Sequence, residues 1–274
     1  MTINGKEIAK KIIDRLKELP KPKKFLAAVL IGENATSLSF LEQKEKTAKE
    51  LGLDFRLYKL DEEKYTNDSL REEIGKISKQ KPVGGLIIQL PLPKKFNSQY
   101  ILNAISREKD IDLLSERSLG SFYTNRSKIL PPSVETLKEI IKEINLDLSN
   151  KKIGIVGLGG LVGKPISTWL IGKAKEVLLL DSGSDLNNLK QMDLVISGVG
   201  IAHLIKYEMI KTGAIIVDFG YDFLNGKICG DIDPKIENIA SFMTPTPHGT
   251  GPILVAKLLE NFYKLNQPNN HKRI

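Results

Sequence analysis

The sequence predicts an α/β protein with parallel sheets, and three observations carry that prediction. Short apolar runs alternate with helical patterns through the first part of the chain, a second alternating series follows after residue 150, and a glycine-rich turn joins the first strand and helix of that second series. At roughly 150 residues per domain, the 274 residues give room for two α/β domains.

The elements follow in order. Ile8, Ile12, Ile13, Leu16 and Leu19 recur every three or four residues among Lys, Glu and Arg, which predicts an amphipathic helix over 6–19, stopped by Pro20. After a Pro-Lys-rich turn, strands are expected over 25–31, 55–60 and 85–89, with helices over 37–51, 67–79 and 96–105. Strands separated by helices favour a parallel sheet with right-handed crossovers, and such sheets bind ligands beyond the carboxyl ends of their strands. Site residues are therefore sought just after strands.

The polar stretch 115–128, with Gly120 and no apolar period, reads as a connector before a helix over 133–144. The second series then runs strand 152–156, turn 157–163, helix 164–172 and strand 176–180, ending at Asp181. Further strands over 193–196 and 214–218 each lead into a small-residue turn. Pro252 is suited to start the last helix, in which Ile253, Leu254, Ala256, Leu258, Leu259 and Phe262 form a wide apolar face. Residues 266–274 read as a polar tail.

Composition removes several function classes. With 41% hydrophobic and 27% charged residues the chain is neither disordered nor membrane-like, and its longest apolar run, 25–31, falls far short of the roughly 18 residues a spanning helix needs. The single cysteine, Cys229, excludes an internal disulfide and a Cys-rich zinc site and fits a reducing compartment. His203, His248 and His271 have no ligand spacing, so no metal site is expected. No signal peptide is read at the N-terminus, and the cytoplasm is the expected location. A net charge of +8 leaves nucleic acid, anionic lipid, a polyanionic small substrate and mere solubility open. No nucleic-acid motif is present, and 6% aromatics offer little stacking surface.

Two groups of residues are suited to chemistry. In the turn Gly157-Leu158-Gly159-Gly160-Leu161-Val162-Gly163, glycines would let backbone amides approach a pyrophosphate at a helix N-terminus. Val162 holds the third glycine position of G-x-G-x-x-G and Gly163 comes one residue late, so a tight βα turn without ligand is the alternative. Asp181 is placed either to accept hydrogen bonds from an adenosine ribose, which favours NAD, or to serve as a turn or cap residue. In the first half, Phe40 and Lys44 stand one helical turn apart, Gln89 ends a strand, and Asp112 lies in Lys109-Asp110-Ile111-Asp112. Together they would line one crevice. By spacing alone, a lone helix lysine such as Lys44 is more often a solvated charge, and Asp112 more often a turn former.

Beyond spacing, the chain resembles a known family. Ile31-Gly32-Glu33-Asn34-Ala35-Thr36-Ser37, followed by Phe40 and Lys44-Glu45-Lys46, resembles V-G-x-x-x-x-S-x-x-Y-x-x-x-K-x-K of the bifunctional methylenetetrahydrofolate dehydrogenase/cyclohydrolase family. Gly85-Leu86-Ile87-Ile88-Gln89-Leu90-Pro91-Leu92-Pro93 is similar to its G-I-x-V-Q-L-P-L-P, and Lys109 to Asp112 to its K-D-V-D-G. Val156 to Pro165 is similar to its G-x-S-x-x-V-G-x-P, and Thr244-Pro245-Thr246-Pro247-His248-Gly249-Thr250-Gly251-Pro252 to T-P-V-P-G-G-V-G-P. The motifs keep the family's order from Asn4-Gly5-Lys6 to the last helix.

The resemblance implies two linked α/β domains: a folate-binding domain over 1–119 completed by the C-terminal helix 252–274, and a Rossmann-like NAD(P)-binding domain over 120–251, with the pterin in the cleft between them. It implies oxidation of 5,10-methylenetetrahydrofolate with NAD or NADP and hydrolysis of the methenyl product to 10-formyltetrahydrofolate. Lys44 matches the catalytic lysine and Gln89 the glutamine beside it. Phe40, Asp112, Pro247, Gly249 and Gly251 would contact folate, and Gly157, Leu158, Gly159, Gly163, Asp181, Ser182, Gly200 and Tyr221 the dinucleotide. A homodimer in one-carbon metabolism and purine biosynthesis is the further expectation. Eight basic against three acidic residues among the first 24 would attract a polyglutamate tail, or simply form a solvated helix face.

Hydride departure leaves an amidinium-like cation, which a protonated lysine would oppose, so Lys44 is expected to work partly neutral, its pKa lowered by burial and a neutral glutamine. The departures from the pattern are informative. Phe40 replaces the tyrosine and deletes its phenol. Leu113 stands where the family has the glycine of K-D-V-D-G, P-C-T-P reads Pro131-Pro132-Ser133-Val134, and His248 replaces a glycine. H-S-R-T reads Asp181-Ser182-Gly183-Ser184, losing an arginine suited to a 2′-phosphate. The accumulated substitutions also raise a second hypothesis, a diverged paralogue that binds folate or nucleotide without turnover.

Overall fold

The computed structural model describes residues 2–33 and 35–267. The end of the expected tail, 268–274 with His271, and Asn34 lie outside the described residues. The chain divides into two compact units: Ile12–Pro132 with Val255–Ile274, and Met1–Lys11 with Ser133–Leu254. The division falls at 11/12, 132/133 and 254/255, where 119/120 and 251/252 were expected, and it groups the first eleven residues with 133–254.

In the first of these, strands β1 (Phe25–Ile31), β2 (Phe55–Leu60) and β3 (Val83–Ile88) form a parallel sheet in the order β2-β1-β3. The sequence explains the order. Phe25–Ile31 is an unbroken apolar run, buried at every position, as suits a central strand covered on both faces, whereas β2 carries Arg56 and Lys59, has no fully buried residue and takes an edge. Helices α1 (Gly5–Lys17), α2 (Ala35–Glu50), α3 (Asn67–Lys79) and α4 (Ser98–Leu102) punctuate the strands. Ile74 and Ile77 of α3 pack with Val29, Ile31, Leu86 and Ile88 into one core. Because β1 has β2 on one side and β3 on the other, the sheet changes direction between the carboxyl ends of β1 and β3, where open α/β sheets place ligands.

Two expectations here need correction. The stretch read as a connector contains helix α5 (Glu116–Tyr123), whose eight residues are too few to show an apolar period; Ser115 caps it and Phe122 is buried. The helix expected over 96–105 is only α4, begun by Asn97, whose side chain accepts from the Tyr100 amide at 3.1 Å.

The second unit holds a five-stranded parallel sheet, β10-β7-β6-β4-β5, from β4 (Lys152–Val156), β5 (Glu176–Leu180), β6 (Leu194–Ser197), β7 (Ile215–Asp218) and β10 (Phe242–Met243). It switches direction at β4, which lies between β5 and β6. The hairpin β8 (Asp222–Leu224) with β9 (Lys227–Cys229), and β10, were not expected; none exceeds three residues. Helices α6 (Pro132–Glu143) and α7 (Gly163–Leu170) match the expected ones within two residues at each end. The last helix, α8 (Thr250–Asn266), begins two residues before Pro252 and continues into the expected tail, where Asn266 Nδ2 donates to Gly84 O at 2.9 Å.

Candidate active site

In the first unit, the direction switch gathers Lys44 and Gln89. Gln89 is the residue after β3, and its backbone N–H donates to Val29 O at 3.0 Å, holding it against β1. Its buried side chain accepts from Lys44 Nζ through Oε1 at 3.0 Å and donates from Nε2 to Leu90 O at 2.8 Å. The second bond fixes which end of the amide faces the lysine. Phe40 precedes Lys44 by one turn of α2 and, like it, is half-buried.

Lys109 and Asp110 brace the loop that carries Asp112. The buried Lys109 ammonium donates to the carbonyls of Ser78 and Gln80. The Asp110 carboxylate accepts from the amides of Leu114 and Ser115 and from Ser115 Oγ at 2.6 Å. Burial lowers the pKa of Lys44, and the charge of Asp112 opposes that shift. Burial raises that of Asp112, Lys44 pulls it down and Asp110 adds to the rise. The expected role of Gln89 in lowering the lysine pKa is corrected: burial does so, while the bond to Oε1 is one that amine or ammonium can donate, so Gln89 orients Nζ. A desolvated amine within electrostatic reach of a carboxylate is suited to proton transfer.

In the second unit, the glycine-rich turn leaves β4 at the direction switch. Gly157 has φ +84°, and a Cβ on Gly163 would collide with Gly157 O. Gly163 thus provides the close helix–strand packing, despite standing one residue late in the pattern. A Cβ added at Gly159 or Gly160 meets nothing within 4 Å, so the turn's outer side is open to a phosphate. Asp181 is exposed in a turn in which its N–H donates to Ser184 Oγ at 3.0 Å and its carbonyl accepts from the Ser184 amide. Ser182 is exposed beside it. Gly200, φ +79°, lies against the Tyr221 carbonyl, and Tyr221 stacks edge-on with Phe223 at 5.5 Å.

The segment 244–252 also belongs to this unit. Thr246–Pro247 is cis, Pro247 and His248 are exposed, and Gly249 is buried against Gly5, which has no room for a Cβ. Gly251 lies exposed in the first turn of α8. Among the described residues, no group of three or more His, Cys, Asp or Glu side chains is arranged to hold a metal ion.

Comparison with known proteins decides the family. Residues 3–112 match the tetrahydrofolate dehydrogenase/cyclohydrolase catalytic domain, and residues 131–270 match its NAD(P)-binding domain. The chain belongs to the tetrahydrofolate dehydrogenase/cyclohydrolase family. The bifunctional protein FolD of Clostridium botulinum is 34% identical over 271 residues, covering 94% of this chain and 95% of that protein. The crystal structure of the bifunctional enzyme FolD from Campylobacter jejuni superposes with a TM-score of 0.91 at 31% identity, covering 97% and 98% of the two chains. That of the bifunctional enzyme from Thermoplasma acidophilum gives 0.88 at 26%, covering 97% and 98%.

Against the family pattern, two substitutions fall where glycine had a backbone reason to stand. Leu113 adopts φ +55° with its side chain buried, and His248 adopts φ +80° with its ring Nε2 3.4 Å from Lys6 Nζ. Left-handed backbone costs a residue with a Cβ roughly 1–2 kcal/mol, so both positions adopt a conformation that glycine takes more easily than the residues present. Sequence reading missed Ser197, Asp218 and Asp231, which are buried and hydrogen-bonded in the NAD(P)-binding unit. Lone aspartates after strands gave no signal that they would be buried.

Proposed function

We propose that Lys44 and Gln89 form the proton-transfer centre of a methylenetetrahydrofolate dehydrogenase/cyclohydrolase, with Asp112 as the carboxylate that holds the pterin. The observation that carries this reading is the 3.0 Å bond from Lys44 Nζ to an amide whose other end is tied to backbone, in surroundings that lower the lysine pKa.

The dinucleotide, when bound, accepts the hydride. The chain's own residues do the rest. A neutral Lys44 does not repel the cation left when the methylene carbon loses hydride, and the Asp112 carboxylate favours that cation while accepting hydrogen bonds from the aminopyrimidine edge. In hydrolysis, Lys44 takes a proton from the water that attacks the methenyl carbon and returns it to the ring nitrogen that leaves, while the remaining hydroxyl proton is released to solvent as the C–N bond breaks and the formyl C=O forms. Phe40 offers an aromatic face to the pterin, and Pro247, Gly249 and Gly251 supply further folate contacts.

Gly157, Leu158, Gly159 and Gly163 are assigned to the pyrophosphate, Asp181 and Ser182 to the adenosine ribose, and Gly200 and Tyr221 to the rest of the dinucleotide. The open space over Gly159 and Gly160 supports that assignment. NAD is the preferred form in this reading, because an exposed carboxylate at 181 repels a 2′-phosphate and no arginine follows it at 183. Folate chemistry is assigned to 1–119 with 252–274 and dinucleotide binding to 120–251. A cytoplasmic homodimer that serves purine biosynthesis and accepts polyglutamylated folate completes the reading, on family resemblance.

The test is spectroscopic. Purified protein with methylenetetrahydrofolate and NAD⁺ or NADP⁺ is expected to generate reduced-nicotinamide absorbance, and silence with both cofactors refutes the reading.

A further inference from the structure

A fully buried carboxylate in the NAD(P)-binding unit, Asp231, grips the turn that carries Gly200. Its Oδ2 accepts from Ser197 Oγ at 2.6 Å and from the Val199 amide at 2.8 Å. Its Oδ1 accepts from the amides of Gly200 and Ile201, both at 2.8 Å. Four donors from one stretch of chain thus converge on two oxygens. The acceptor is buried, so losing it is costly: the Ser197 hydroxyl is left buried without its partner and the three amides lose the group that fixes the turn.

The gripped turn lies where the dinucleotide is assigned. It follows β6, next to β4 at the direction switch, and a Cβ on Gly157 would come within 2.8 Å of Val199 Cγ2. On its other side, the Ala202 amide donates to Asp222 Oδ2 at 2.9 Å, and Gly200 lies against the Tyr221 carbonyl. Gly220 leaves no room for a side chain beside Asp231. The neighbouring Asp218 ties the Gly220 and Ile232 amides at 2.7 and 3.2 Å, so the loops after β6 and β7 are pinned from one buried point.

We propose that Asp231 is a positioning residue for the dinucleotide, setting the 199–201 turn and so the placing of Gly200 and Tyr221. This rests on the reading that Gly200 and Tyr221 touch the dinucleotide. Only a group accepting on both oxygens serves the four donors. In either orientation an amide would turn its NH₂ toward at least one backbone N–H: Val199 on the Oδ2 side, where only Ser197 Oγ could accept from it, or both Gly200 and Ile201 on the Oδ1 side.

The test uses the full chain and the fluorescence of reduced dinucleotide as the binding readout, with steady-state KM values beside it. Asp231→Asn is expected to weaken dinucleotide binding about tenfold or more and to raise the dinucleotide KM by a similar factor, with the folate KM within about twofold of wild type. A folding defect would move both KM values. Ser197→Ala, which removes one donor and spares the carboxylate, is expected to weaken binding about two- to fivefold, and decides the matter if the first variant does not fold. Wild-type dinucleotide affinity in a folded Asp231→Asn protein, or in Ser197→Ala where that protein fails to fold, overturns the proposal. Tyr221→Ala separates the two layers: weakened binding there with an unaffected Asp231→Asn rejects the positioning role alone, and no change in either rejects the underlying contact as well.

Discussion

Lys44 Nζ donates to Gln89 Oε1 at 3.0 Å, and the opposite end of that amide is fastened to Leu90 O at 2.8 Å. The lysine is thereby aimed without being neutralised by an ion pair. Burial favours the amine, and the through-space attraction of Asp112 keeps the ammonium within reach. A base that must release its proton again within one turnover needs that balance.

Lys44→Met follows directly. It removes the nitrogen and keeps an unbranched chain of similar length, so methenyl hydrolysis is expected to fall by about 10²- to 10⁴-fold. Absorbance loss of methenyltetrahydrofolate measures it, and hydrolysis at the wild-type rate shows that the assignment is wrong.

Gln89→Glu tests the aiming group. A carboxylate 3 Å from Nζ stabilises the ammonium, so the pH at which hydrolysis gains its neutral base is expected to rise by about one unit or more. The ascending limb of the pH–rate profile moves to higher pH. A profile that does not move places the working proton on another group.

Phe40→Tyr restores the family's phenol on the same helix face, one turn before Lys44. If hydrolysis is limited by a missing hydroxyl near the amine, the rate is expected to rise about two- to tenfold. An unchanged rate places the limit at another departure, such as Leu113 or His248.

The sheets were legible in the sequence because apolar runs such as Phe25–Ile31, the central strand, and Val83–Ile88, an edge strand buried at every position, are what parallel strands covered on both faces require. Gln89 was legible as a candidate because it follows a strand, and Lys44 because it stands one helical turn after Phe40 in a recognisable motif. Helix α5 was hidden by its length, and the β8–β9 hairpin by strands of three residues. Asp231 was hidden for a different reason: its importance lies in four donors that the fold brings to it, three of them backbone amides common to every residue type. The late glycine of the turn shows the converse, for Gly163 meets the packing requirement although the spacing is shifted by one.

Asp181→Ser addresses cofactor choice. The exposed carboxylate follows β5, and its removal takes away a charge that repels a 2′-phosphate. The ratio of kcat/KM for NADP to that for NAD is expected to rise about tenfold. A constant ratio places selectivity outside this turn.

Asp218 predicts a pH dependence of stability. Burial, and then the charge of Asp231, raise its pKa from 3.8 to about 7, against the amides of Gly220, Asp231 and Ile232, which lower it. The folded state therefore holds this proton more tightly than the unfolded chain. Its contribution to stability is fully present below about pH 4 and declines as pH rises to about 7, by a few kcal/mol at roughly 1.4 kcal/mol per unit. The nearby Cys229 thiol is pushed above its usual value and titrates outside this window. Denaturation midpoints measured between pH 5 and 8 are expected to fall less steeply with pH in Asp218→Asn, which cannot ionise, than in the wild type. Parallel curves for the two proteins would mean that Asp218 carries the same charge in the folded and unfolded states.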